Sequence, residues 1–577
     1  MTPDEVEAAV RAGRSLAGVR LSGIDLRGRN LAGADLAGAR MAQVRLQGAD
    51  LSRSDLRGAQ LVGCQASGAN LEGCSLQGAA LLMTDLEGAR LRGADLTGVN
   101  APRANLIGAD LDGVLLKGAN LVGASLPGVS LRGANLEEVH LDLAKLAGAD
   151  LSEARLVNTT LAQADLSGAK LCGAHLEQVM LSRAKLSDAD FSGSTLSGVM
   201  LTDTDLRGAV LPKRAERTSF DGSILGRPDL KGADLRGSEL EGMDLAGVDL
   251  EGADLTCCSL QGTNLRGANL RGAKLERSLL SRCDLTGAHF DGANLSMCVL
   301  TGAVLRGVDL SGHELTMVVM NEADLTGARL VGARLERSLL TKANLTGVDM
   351  TRALLKGVPM KDAIVEGLIL DKTVFISVDF ARVDLRKLRF KGMVMQRCSF
   401  KGADMQGMDL RGCDFTASDF SGADLRKADF EGSILHQTNF KESRLELADL
   451  TGVAAKGAFF GEAVLEGAKL AKALLRYSTF SKANLTHANL AGANLRETLW
   501  VNARAPGATF ASASLVYADL SHADLSGADL SGADLSGADL HNVRDAGAVW
   551  TAANLLTAKP TDLDRLEAEA WLPPQSP

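Results

Sequence analysis

Aromatic side chains are scarce in this chain, at 3% of 577 residues, and proline occurs only 11 times. Few aromatics often mean too little core to fold. Here 46% of residues are apolar and recur in strict period, which argues against disorder. No apolar stretch approaches the roughly 20 residues that span a bilayer, so a membrane span is not expected. No signal peptide opens the chain. The expectation is a cytoplasmic protein, with non-classical export left open. A basic stripe is also missing: net charge is −9 and thinly spread. Direct nucleic-acid binding, which needs cations to displace counterions from phosphate, is disfavoured. The acidity is mild for a DNA mimic.

The motifs of catalysis are absent too. There is no P-loop, no HExxH and no GxSxG elbow. The eight histidines (140, 175, 289, 313, 436, 487, 522 and 541) are scattered, with no ligand pair at useful spacing. The chain is read as no enzyme, with no catalytic, cofactor-binding or metal-ligating residue and no cofactor.

What is present is a beat of five. Leu or Phe returns every fifth residue from Leu16 to Leu211, and in a shifted register from Phe220 to Leu555. Of these 108 positions, 94 hold Leu or Phe, so chance patterning is excluded. Two places before each centre stands a small residue, usually Ala, as in Ala34-Asp35-Leu36 and Ala233-Asp234-Leu235. Cys64, Cys74, Cys258, Cys283, Cys298, Cys398 and Cys413 occupy that small slot; only Cys172 and Cys257 fall on outward positions. With no CxxC pair, the thiols read as reduced structural filler rather than zinc ligands or disulfides.

Period five fits neither a helix at 3.6 nor a strand at two. It fits a chain that turns a corner after every short extended segment. Side chains alternate along such a segment, so the centre and the small residue point inward together. The Asp or Asn between them points out, and the Gly that often follows suits the corner. The motif resembles that of the pentapeptide-repeat family, A-(D/N)-L-x-x, over roughly 540 residues. The resemblance implies an all-β fold: a right-handed quadrilateral β-helix with four pentapeptides to a coil. One column supports twenty residues per coil independently. Phe380, Phe400, Phe420, Phe440, Phe460, Phe480 and Trp500 then stack, as offset ring pairing favours.

The expected organisation is a capping helix over 1–15, a first β-helix over 16–211 (about 10 coils) and a linker or register break at 212–219. A second β-helix follows over 220–555 (about 17 coils), then a cap and tail over 556–577. At about 4.8 Å per coil the two runs would measure roughly 48 and 82 Å. Thr2-Pro3-Asp4-Glu5 carries a capping box, and Gly13 a stop. Thr561–Asp564 opens a second helical segment running to Trp571, ended by Pro573 and Pro574. Residues 212–219 place Phe220 nine positions after Leu211 where ten would continue the beat, giving either a hinge or a loop on one rod. Leu265–Ala288 is echoed by Leu325–Val348 at an offset of sixty, three whole coils.

Candidate contact residues are the departures from Asp or Asn at outward positions. Leu279, Val299, Val319, Leu339 and Pro359 lie twenty apart and should form an apolar column. Leu354, Val374 and Val394 make a second column, with Ile364 and Ile369 nearby and Phe459 as an exposed ring. Such patches often mark partner sites. The reading is a rod-like protein-interaction scaffold or adaptor of a bacterial cell, docking an unidentified protein. Self-association through the columns or the C-terminal segment is the related expectation. The opening TPDEVEAAVRAGRSLAGVRLSGIDL is similar to pentapeptide-repeat proteins accompanying type VI secretion, which implies an accessory protein or effector. Resemblance to gyrase-protecting members implies a third reading, a DNA-mimicking topoisomerase binder.

Overall fold

Each pentapeptide builds one side of a coil, and Leu31–Asp35 shows how. Ala34 N–H closes a turn on the Leu31 carbonyl at 3.1 Å, and Gly33 sits in it with φ +70°. That left-handed backbone explains the frequent glycine. Where glycine is replaced, Arg53, Glu138 and Cys257 adopt φ of 58–61°. The outward Asp or Asn caps the corner: Asp50 Oδ1 accepts from Ser52 N–H at 3.0 Å, and Asn70 Oδ1 from Glu72 N–H at 3.2 Å. These Asx turns are the local reason for the D/N preference.

The coils stack at twenty residues. Arg20, Asp25, Asn30 and Asp35 pair in parallel with Arg40, Arg45, Asp50 and Asp55, one pair for each of four sides. Asp55 N–H donates to the Ala34 carbonyl at 2.9 Å, and Leu36 N–H to the Asp55 carbonyl at 2.8 Å. Asn above Asp neutralises what would be a column of carboxylates, as where Asn70 Nδ2 donates to Asp50 at 2.9 Å. The fold is a parallel β-solenoid with four-sided coils.

The computed structural model describes residues 1–571, which divide with the remaining tail into two compact units, Met1–Asn294 and Leu295–Pro577. In the first unit, β1 (Arg155–Val157), β2 (His175–Glu177), β3 (Thr195–Ser197) and β4 (Arg214–Glu216) form one parallel sheet. In the second, β5 (Glu314–Thr316), β6 (Arg334–Glu336), β7 (Leu354–Lys356), β8 (Val374–Ile376) and β9 (Val394–Gln396) form another.

Residues 212–219 hold the register break within paired backbone. Strand β4 lies within this segment and pairs with β3 through Thr195↔Arg214, an offset of nineteen. Ala215 is a buried centre that the five-residue beat misses, because the side from Pro212 to Ala215 has four residues. Gly198 N–H still reaches the Glu216 carbonyl at 3.1 Å, and Arg214 pairs onward with Asp234. The missing residue is taken up on this side, and the ladder opens beside it at the amides of Leu211, Leu225 and Leu230, which make no bond among the described residues. The division between the two units falls at 294/295.

Inside, Leu36 and Leu235 are buried, and the aromatic column forms. Consecutive rings from Phe380 to Phe480 lie 4.7–5.3 Å apart and within 11° of parallel. Trp500 completes it 4.3 Å from Phe480, its indole N–H donating to Thr498 Oγ1 at 2.9 Å. The small slot is not merely apolar. Hydroxyls placed there reach a backbone carbonyl 23 residues earlier, as Thr84 to Leu61 and Ser278 to Leu255. Cys64, Cys74, Cys258, Cys283 and Cys413 do the same with their thiols.

Burial pushes these thiols up, Cys64 and Cys413 to about 11 and Cys74, Cys258 and Cys283 to about 12. Two results are expected. A thiol reagent applied to native protein should modify Cys257, which is exposed, well before the buried set, as mass mapping of labelled peptides will show. Cys258→Ser should lower the local stability of its coil, read by hydrogen exchange, by less than about 1 kcal/mol, because the hydroxyl inherits the Leu235 carbonyl; a larger loss would mean that the slot demands sulfur.

Candidate interaction surfaces

At the N-terminus, α1 (Pro3–Arg11) is built as its capping box dictates, with Thr2 N–H donating to Glu5 Oε2 at 2.8 Å and Val6 and Ala9 buried beneath. Arg29 clamps it from the third coil side through Asp4 and Glu7, both at 2.8 Å.

The outward apolar positions fall as follows. Val299 pairs with Val319 and Val319 with Leu339, and Leu340 N–H binds the Pro359 carbonyl at 3.0 Å. The four are half-buried and form a continuous apolar ladder in the second unit. Leu279 belongs to the first unit, where it is exposed and pairs with Ser259. Leu354, Val374 and Val394 stand in exact register on β7, β8 and β9. Ile364 and Ile369 are exposed. Phe459, exposed over two-fifths of its surface, lies between Asn439 and Thr479 and folds over Gly461, where an added Cβ would meet the ring at 2.6 Å. Val or Leu at these positions forgoes the Asx cap, so local geometry does not select them.

Charge elsewhere is largely paired. Arg27, Arg207 and Arg411 each fork onto the Asp two residues earlier, holding Asp25, Asp205 and Asp409 down at about 2. These pairs are exposed, so they add little stability and leave few bare carboxylates on those corners.

The C-terminal end differs from the expected cover. Helix α2 (Leu563–Ala570) buries none of its residues, and Leu563 and Trp571 are 74% and 68% exposed. Val549, Leu555 and Leu556 of the last coil are exposed as well. Polar bonds rather than apolar packing tether the helix, and among the described residues it does not cover the apolar side chains of the last coil. Pro573 and Pro574 lie outside the described residues.

The tether gathers two of the supposedly scattered histidines. His522 Nε2 and His541 Nε2 lie 3.0 and 3.1 Å from Glu569 Oε2, and His541 is buried. Stacking explains what spacing alone did not reveal: position 542 sits over 522, so 541 is its neighbour. Two imidazoles and a carboxylate are a zinc-class donor set, and their ligand atoms lie within 4.8 Å of one another. Hydrogen bonds oppose metal uptake here. His541 Nδ1 accepts the Asp562 amide N–H at 3.1 Å, which places the ring proton on Nε2, facing Glu569. A metal at Nε2 would require the opposite tautomer. The trio acts as a clamp on α2, aided by Arg565, which binds Glu569 at 2.8 Å and Asp539 at 3.5 Å. Asp519 and Asp539 stack, as twenty-residue spacing requires.

No helix among the described residues is long and apolar enough to cross a membrane. No curated protein matches the chain. Among solved structures, it is similar to HetL, a pentapeptide repeat protein involved in heterocyst differentiation regulation from the cyanobacterium Nostoc sp. strain PCC 7120. That match has 29% identity over 52% of this chain and 97% of HetL, with a TM-score of 0.20. A trypsin-treated form of QnrB1, a plasmid-mediated fluoroquinolone resistance protein, matches at 26% identity over 28% of this chain and 83% of its own, with a TM-score of 0.20. Rfr23, from the cyanobacterium Cyanothece 51142, matches at 23% over 25% of this chain and 97% of its own, with a TM-score of 0.16. The family described as pentapeptide repeats (8 copies) matches residues 15–211, 216–357, 463–499 and 507–542 in overlapping or abutting blocks. A pentapeptide repeat region matches residues 373–450. The four-sided coil, its Asx-capped corners and these matches along most of the sequence agree: the chain belongs to the pentapeptide-repeat family.

Proposed function

We propose that this protein is a non-enzymatic scaffold of a bacterial cell whose coil faces dock another protein. The observation that carries the reading is the ladder Val299, Val319, Leu339 and Pro359, four apolar residues in succession at positions that normally hold a corner-capping Asp or Asn. Contiguous apolar surface on an otherwise charged coil face is what a partner would cover. Leu354, Val374 and Val394 widen the patch around the next corner. Affinity purification of the intact chain followed by mass spectrometry should recover a partner. The triple variant Val299→Asp, Val319→Asp, Leu339→Asp should lose it while retaining native circular dichroism. Recovery undiminished by the three aspartates would remove this surface from consideration.

The C-terminal end favours a second reading, self-association. Leu555, Leu556, Leu563 and Trp571 present apolar surface at the last described coil. Sedimentation of Leu556→Asp/Trp571→Asp beside the parent chain tests it; an unchanged monomer–dimer distribution would rule the end out. A type VI secretion accessory or effector remains the family-level alternative, checked by pull-down against spike and tube components. For the gyrase-directed reading, the corner aspartates neutralised by their arginines offer little phosphate-like charge. Supercoiling assays with and without the protein should differ only if that reading holds.

A further inference from the structure

The ladder of the second unit opens between residues 364 and 391. In the coil below, a centre and the residue two beyond it donate to carbonyls nineteen residues on, as Met350 to Ile369 and Arg352 to Asp371; in the first unit the amides of Leu111, Leu116, Leu225 and Leu230 also lack such bonds among the described residues. The next coil should repeat this from Leu370 to Arg389 and from Lys372 to Lys391. It does not: the amides of Val365, Gly367, Leu370 and Lys372 make no hydrogen bond among the described residues. Bridges reach Ile364 and Ile369 from below and resume at Asp404 and Asp409. In between, Leu385–Lys387 coils into a single 3-10 turn.

The sequence supplies a cause. The small slot on this side, twenty residues apart, holds Val348, Leu368, Leu388 and Met408 in place of alanine. Leu388 is buried and Leu368 is pushed half out. Side chains this large cannot share the space that stacked alanines fill, so the coils separate.

The separation leaves a cleft of about 450 Å³ lined by the backbone from Gly367 to Lys372 and by Lys387, Arg389 and Lys391. Four cations, Lys372, Lys387, Arg389 and Lys391, face one carboxylate, Asp371. Lys387 pairs with Glu366 at 2.9 Å, whereas Lys372, Arg389 and Lys391 have no ion-pair partner among the described residues. On a chain of net charge −9, this is a local reversal of sign.

We propose that this cleft binds a small phosphorylated molecule, its phosphate held by Arg389, Lys391 and Lys372 and by the free amides of Gly367, Leu370 and Lys372. Successive amide N–H groups with a guanidinium form the cradle that suits a tetrahedral oxyanion. The volume matches a small-molecule site rather than an extended polymer track. Ile369 and Leu370 offer an apolar flank for the rest of the ligand.

Calorimetric titration of the full chain with inorganic pyrophosphate tests this, with glutamate as the carboxylate comparison and Lys456→Ala as a cation control outside the cleft. The expected result is saturable binding at one site, preferred over glutamate. It should weaken about tenfold with Arg389→Ala or Lys391→Ala, the loss of one charge-assisted bond, and stay unchanged in Lys456→Ala. Leu388→Ala retains every cation but restores alanine to the slot, so it should close the ladder and abolish binding. Hydrogen exchange at Leu370 and Lys372 will confirm the new bonds. Absence of saturation, equal loss in the control, or full binding by Leu388→Ala with a closed ladder would each overturn the proposal. Glutamate binding as tight as pyrophosphate would overturn it in favour of an acidic peptide.

Discussion

Phe420→Ala should lower the local stability of its coils by about 3–5 kcal/mol, the largest single effect expected in this chain. Phe420 is fully buried and stacks on Phe400 at 4.7 Å and Phe440 at 5.3 Å. Edge contacts to Phe415 at 5.1 Å and Phe430 at 6.0 Å complete its surroundings. Each ring pair adds about 0.5–1.5 kcal/mol beyond area burial, and alanine would leave a cavity bounded by four rings that cannot collapse into it. Because each coil touches only its neighbours, the loss should be local. Hydrogen exchange is therefore the right measurement, since one unfolding midpoint is poorly defined for a repeat array. Amides of residues 400–440 should exchange faster, while those around Leu31–Leu71 keep their protection. A uniform change along the chain would contradict the nearest-neighbour picture.

Ala428→Leu should cost about 1–3 kcal/mol from the opposite direction, by overfilling. Ala428 is fully buried in the small slot two residues before Phe430. Its slot neighbours twenty residues away are Met408 and Ala448, so a leucine there would extend the run of large side chains at Leu368, Leu388 and Met408 by one coil. The prediction is loss of protection at Phe430 N–H, which now donates to the Asp449 carbonyl at 2.7 Å, and at Asp429 N–H, which donates to Met408 at 2.9 Å. Retention of both bonds in the variant would show that the coil can widen without parting. The cause assigned to the open cleft would then fail with it.

Both predictions rest on features with different degrees of legibility in the sequence. The aromatic column was readable because twenty-residue spacing of seven large rings has few alternative explanations. The cysteine slot was readable in position only. That its thiols donate to carbonyls 23 residues earlier depends on how one coil overlies another. The apolar ladder was readable from Val299 to Pro359, while Leu279, at the same spacing, falls in the other unit.

The segment at 212–219 shows a limit of period counting. A spacing of nine breaks the beat on paper, yet strand β4 pairs through it with a nineteen-residue offset. The short side keeps the bonds of β4, while the flanking amides of Leu211, Leu225 and Leu230 make none among the described residues. The C-terminal helix shows another. Its N-terminal signal is sound, with Asp562 accepting from Arg565 N–H at 3.1 Å, but capping signals say where a helix starts and nothing about what it covers.

The sequence alone determined the repeat, the inward and outward faces and the family resemblance, which implied the four-sided coil that the aromatic spacing supports. Each follows from short-range rules: side chains alternate along an extended segment, glycine or Asx chemistry turns the corner, and leucine seeks the interior. Only the tertiary structure decided which residues meet across coils. It joined His522, His541 and Glu569, exposed the last coil, carried the ladder through the four-residue side, and parted it where large side chains stack at Leu368 and Leu388. Those outcomes depend on volumes and hydrogen bonds summed over neighbours twenty residues apart, which no local window contains.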